Sequence, residues 1–94
     1  MNKEIAIKAK AFDRLINHLD QRKDVQNIDL MILANFCRNC LSNWMVDAAD
    51  ELGTELSKEQ AREMVYKMTY QQWKDKHQLP TSEEKLALLK QSNK

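Results

Sequence analysis

Two cysteines three residues apart, in Cys37-Arg38-Asn39-Cys40, are the side chains of this sequence best suited to covalent or metal chemistry. Such a pair serves either as a redox dithiol or as half of a structural zinc site. A redox pair of the thioredoxin kind needs its first cysteine at a helix N-terminus, after a strand, where the helix dipole favours the thiolate. Zinc needs four ligands, and the only other soft candidates, His18 and His77, stand at no zinc-finger spacing from the cysteines. Both chemistries therefore depend on which part of which element carries the pair.

The elements are helices. The chain has 94 residues with one glycine, Gly53, and one proline, Pro80, too few for the turns of a β-rich fold or for a glycine-rich phosphate loop. Eleven Leu, eight Ala and five Met outweigh eight Val plus Ile, and unbranched or γ-branched side chains keep more rotamer freedom in a helix. Hydrophobic residues at 43% and charged residues at 31% describe one folded domain spanning 1–94, with a core over about 3–79 and a C-terminal helix and frayed tail over 81–94.

Asn2 caps a first helix whose apolar stripe is Ile5, Ala9, Phe12, Ile16 and Leu19, and which ends near Leu19 or Asp20. After a polar connection, Asp24 or Asn27 caps a second helix. Its pattern runs on to Gly53, the usual left-handed residue after a helix. That reading gives a central helix of roughly 25–28 residues, about 40 Å long. Ser57 and Thr69 each stand three residues before a glutamine, the capping-box form, and start a third and a fourth helix. Pro80 stops the fourth, and Thr81-Ser82-Glu83-Glu84 opens a fifth. The expected architecture is all-α, a compact bundle of four to five helices around the long central one.

On a continuous central helix, steps of about 100° put Cys37 and Cys40 in the apolar arc on either side of Trp44. Free cysteines are among the most buried residue types, so the pair reads as core. The opposite arc carries Arg38, Asn39, Ser42, Asn35 and Asn43. Asparagine and serine are weak helix formers, and a stripe of them suggests either a binding surface at Arg38, Asn39 and Ser42 or a polar contact inside the monomer. Tyr70, Trp73 and His77 share a face and read as a lid on the core.

Fifteen Lys plus Arg against fourteen Asp plus Glu leave no basic patch for nucleic acid. No apolar run is long enough for a membrane span, and the opening MNKEIAIKAKAFDRL is too charged for a signal peptide. The expected location is the cytoplasm, where two cysteines do not form a structural disulfide. No serine or acid pair has a base placed by motif, so no catalytic constellation is expected.

The segment DVQNIDLMILANFCRNCLSNW, together with SKEQAREMVYKM, resembles a family of short bacterial proteins filed as domain of unknown function 1244. The resemblance implies a compact all-helical cytosolic protein and no assigned activity. It carries Asp24, Gln26, Asn27, Asp29, Cys37, Arg38, Asn39 and Cys40 as motif positions. The family tends to a glycine where this chain has Asn35 and to an aromatic where it has Met45, so Asn35 is set aside as a shared site residue. The leading functional expectation is a non-catalytic helical interaction module that forms a homo-oligomer, without cofactor, nucleic acid or membrane. The alternative is a metal or thiol module at Cys37 and Cys40, with zinc as the metal and His18 and His77 as further candidate ligands. A third is a small polar ligand at Arg38 and Asn39.

Overall fold

The computed structural model describes residues 2–92. Its described residues form six helices and no strand: α1 Lys3–Gln21, α2 Asn27–Ala34, α3 Arg38–Glu51, α4 Lys58–Tyr66, α5 Tyr70–His77 and α6 Glu83–Ser92. The all-α class is as expected. The helix count is one higher, because the long central helix does not exist. It is two helices, α2 and α3, separated by Asn35, Phe36 and Cys37.

The break has a local cause. Asn35 sits in the left-handed region at φ 58°, and its N–H returns to the Met31 carbonyl at 3.0 Å, closing α2. Asparagine tolerates that conformation better than other residues bearing a Cβ. Cys37 is then fully extended and becomes the N-cap of α3. An apolar periodicity that runs through both helices conceals the turn, since Leu30 from α2 and Leu41 from α3 enter the same core.

Other helix ends follow the side chains read for them. Asn2 Oδ1 accepts the Glu4 N–H at 2.9 Å. Ser57 and Gln60 exchange hydrogen bonds at 3.0 Å each, and Thr69 and Gln72 do the same at 3.0 and 3.1 Å. Gly53 follows α3 at φ 73°, which lets the Thr54 N–H reach the Ala49 carbonyl at 3.0 Å. At α2, however, the N-cap is Gln26, whose N–H donates to Asp29 Oδ2 at 2.9 Å. Neither Asp24 nor Asn27 caps: Asp24 pairs with Arg22 in the connection, and Asn27 is the first helical residue, its side chain committed elsewhere.

Ile16 and Leu19 of α1, Leu30, Leu41, Val65, Tyr66 and Trp73 form the core, with Phe12, Val25, Phe36, Met45, Met68 and Tyr70 packed around it. The stripe read for α1 is thus inside only at its C-terminal end, and Ile5 remains exposed. α3 packs mainly on α4, and α6 packs on α2, where Lys85 Nζ meets Asp29 Oδ1 at 2.9 Å. Gln26 ties the same region together from below. It is buried, its Nε2 donates to the His77 carbonyl, and its Oε1 accepts the Leu79 N–H, both at 2.9 Å. Among the described residues no helix is long and apolar enough to cross a membrane.

Candidate functional site: the junction of α2 and α3

Because the chain breaks at Asn35, the Cys-x-x-Cys pair lies at the first turn of α3 rather than in mid-helix. Cys37 is the N-cap and Cys40 the third helical residue, and their Sγ atoms are 3.9 Å apart. Both are free thiols. Cys37 is 7% exposed and Cys40 half-buried. Burial pushes the Cys37 thiol pKa up, the backbone N–H groups of Cys40 and Asn39 pull it down, and the neighbouring Cys40 thiol adds to the rise.

Arg38, between the two cysteines, is 2% exposed, and its guanidinium is turned to the C-terminal end of α1. Nη1 donates to the Val25 carbonyl at 2.8 Å and to Asn27 Oδ1 at 3.1 Å. Nη2 donates to the Arg22 carbonyl at 3.0 Å and, more weakly, to that of Leu19 at 3.4 Å. Its carbon Cζ lies 5.0 Å from the Trp73 ring centroid. Among the described residues it pairs with no carboxylate. The charge is balanced by carbonyls at and just past the C-terminal end of α1, where the negative end of its dipole lies; those of Leu19 and Arg22 accept a backbone N–H as well. Burial pulls the Arg38 pKa down, and guanidinium remains charged.

From Arg38 a chain of hydrogen bonds crosses the molecule. Asn27 Oδ1 also accepts the Arg38 backbone N–H at 3.3 Å, and Asn27 Nδ2 donates to the Tyr66 hydroxyl at 3.1 Å. Tyr66 donates to Asn39 Oδ1 at 2.9 Å, and Asn39 Nδ2 donates to the Tyr70 hydroxyl at 3.3 Å. Ser42, fully buried, closes locally on the Asn39 carbonyl at 2.8 Å. Arg38, Asn39 and Ser42 thus make polar contacts inside the monomer, the second of the two readings of this arc. The break at Asn35 resets α3 relative to α2, so one wheel drawn across both does not give the inner face of α3.

A cavity of about 230 Å³ opens beside the network, with Asn27, Met31, Cys37, Asn39, Tyr70 and Leu79 in its walls. Cys37 thus stands in the cavity wall with its sulfur 3.9 Å from that of Cys40. A larger cavity of about 430 Å³ lies beyond Tyr70, between Arg62 and Lys74, whose charges each sit 4.7 Å from the Tyr70 ring centroid. It contains no thiol and no histidine.

The candidate histidines are not brought to the thiols. His18 is exposed on α1, and His77 packs on Trp73 with ring centroids 5.9 Å apart. Among the described residues no three His, Cys, Asp or Glu side chains gather as a metal cage. On the outer side of the junction, Phe36 stacks on Trp44 with centroids 6.5 Å apart, Trp44 is 54% exposed and Leu33 is 81% exposed.

The fold and junction define a small all-helical domain with a dithiol at a helix start, buttressed by a buried arginine. The chain belongs to the family described as protein of unknown function (DUF1244), whose model matches residues 25–91. No curated protein matches it. Within the matched region, Val25 and Asn27 hold Arg38 inside the first string quoted above, and Tyr66 of the second string joins them through Asn27 and Asn39. Tyr66 and Tyr70 complete the network from α4 and α5. Sequence reasoning missed their role, since nothing in a lone tyrosine's spacing marks a hydroxyl that bridges two asparagines.

Proposed function

We propose that this chain is a small thiol module in which Cys37 and Cys40 act as a chemical pair in the reducing interior of a bacterial cell. The observation that carries this reading is the 3.9 Å separation of the two sulfurs at the start of α3. The pair stands at a helix start, where the N-cap position opposes the rise that burial gives the Cys37 thiol pKa. The cavity at Cys37 and the partial exposure of Cys40 give reagents a way in. One chain offers two cysteine ligands, and a tetrahedral zinc would take two more ligands from a second copy. The test is alkylation of the native protein with a small iodoacetamide reagent, followed by mass spectrometry. Modification of at least Cys40 within the native state supports the module. Thiols that both resist until the protein is unfolded overturn it.

Self-association is a second reading, favoured by Trp44, exposed beside the Phe36 ring, and by the exposed Leu33 of α2. A face of this kind marks an interaction site more often than a bare surface does. A formal net charge of only +1 offers little repulsion between copies. Sedimentation at micromolar concentration tests it, and a monomer of 11.1 kDa at every concentration rejects it.

A further inference from the structure

We infer that Cys37 and Cys40 exchange with small organic disulfides, Cys40 attacking first and Cys37 closing the internal disulfide. The inference rests on the thiol-module reading and names its substrate class and the order of its steps.

The order follows from the surroundings of each sulfur. Cys40 is the more exposed thiol, so a disulfide in solution meets it first. Cys37 is buried, with its thiol held in the neutral form by that burial. A buried neutral thiol is a poor first nucleophile. It is well placed as the second. Its sulfur is 3.9 Å from Cys40 Sγ, and closure to a bond of about 2.05 Å needs an approach of roughly 1.9 Å between side chains one helical turn apart. Cys37 is the N-cap of α3, so the positive end of the helix favours the charge that develops on its sulfur as the proton leaves. The Arg38 Nη donors are spent on Val25, Asn27, Arg22 and Leu19, so the guanidinium acts on Cys37 through its charge alone.

In the first step the Cys40 thiolate attacks one sulfur of R–S–S–R. A Cys40–S–S–R bond forms, the substrate S–S bond breaks, and R–S⁻ leaves to take a proton from water. In the second step Cys37 gives its proton to water and its thiolate attacks Cys40 Sγ. The Cys37–Cys40 bond forms, and the second R–S⁻ leaves and is protonated. Two electrons pass from the dithiol to the substrate, and the sum is R–S–S–R plus two protein thiols giving one internal disulfide plus two R–SH.

The test uses the full chain and oxidised glutathione as the probe, with acid quenching, alkylation and mass spectrometry, and circular dichroism to check the helices of each variant. The wild type should lose two hydrogens and keep no lasting glutathione adduct. Cys37→Ser should accumulate the adduct on Cys40. Cys40→Ser should form an adduct on Cys37 about tenfold more slowly or not at all. Cys37→Ala and Cys40→Ala repeat the comparison should either serine variant fail to fold. A faster adduct on Cys37 overturns the order. A persistent Cys40 adduct in the wild type overturns closure. Native thiols that alkylate with iodoacetamide yet stay reduced with oxidised glutathione overturn exchange while leaving the module. Failure of native alkylation removes both.

Discussion

Asn27 Oδ1 accepts two hydrogen bonds from Arg38, one from the backbone N–H at 3.3 Å and one from Nη1 at 3.1 Å. One side chain thus fixes both the start of α3 and the arginine that closes the end of α1. The geometry explains why a charged residue sits between two cysteines in the interior. It holds three segments together at the point where the thiols are displayed.

Replacing Arg38 should therefore be severe. Arg38→Met keeps much of the volume but removes the guanidinium bonds to the Val25 and Arg22 carbonyls and to Asn27 Oδ1, of which the last two keep a backbone N–H. Buried acceptors left in this way cost about 1–3 kcal/mol each, with partial relief from water. A loss of about 3 kcal/mol or more in urea unfolding is expected. Arg38→Lys should recover little, because an ammonium lacks the fork that reaches Val25 and Arg22 together. Full recovery by lysine would show that charge alone matters.

The break at Asn35 gives a second expectation. Asn35→Gly should match or slightly exceed the parent's stability, since glycine adopts φ near 58° without steric cost. Asn35→Ala should lose about 1 kcal/mol, and Asn35→Val more. Thermal unfolding separates these outcomes. A stabilised alanine variant would mean that α2 and α3 join into one helix, and with it the thiols would return to mid-helix.

These two residues also show what could be read in the sequence. The helical class, the caps at Asn2, Ser57 and Thr69, and the stop at Gly53 rest on local rules and hold. The α2–α3 break was hidden because Asn35 follows an apolar run whose period continues past it, and asparagine in mid-helix costs only tenths of a kcal/mol. The glycine that the resembled family prefers at this position was the available signal. It was read as a weakness of a binding residue, when it is the residue type that a left-handed turn favours. A single wheel across the break misplaces α3 relative to α2, and a continuous helix puts the cysteines in mid-helix. Contacts such as Asn27 to Tyr66, 39 positions apart, follow from tertiary packing and no local pattern announces them.

The Gln26 amide bridges the His77 carbonyl and the Leu79 N–H, so it latches the start of α2 to the segment leading to α6. Gln26→Glu removes the donor to His77 and sets a carboxylate near a carbonyl. A loss of about 2 kcal/mol is expected. Hydrogen exchange at the Leu79 amide should rise more than at Val65 in the core. Equal changes at the two amides would indicate a global effect with no latch.

Alkaline pH should expose Tyr66. Burial raises its phenol pKa well above the ordinary 10.0. The unfolded chain therefore releases this proton at lower pH than the folded chain. The stabilisation is full below about pH 10 and is lost as pH rises from there toward the folded-state pKa. Cys37 acts in the same direction from its ordinary 9.0. The measurement is urea midpoint against pH from 7 to 11, for the parent and for Tyr66→Phe. Phenylalanine leaves Asn27 Nδ2 and Asn39 Oδ1 without a partner, so the variant should be weaker by about 1–3 kcal/mol at pH 7. It should also lose less stability between pH 9 and 11, because one of the two buried groups no longer titrates. Adding Cys37→Ala to Tyr66→Phe should flatten the remaining slope. Parallel curves for parent and variant would place the alkaline sensitivity elsewhere and show that the Tyr66 hydroxyl is not held neutral by its burial.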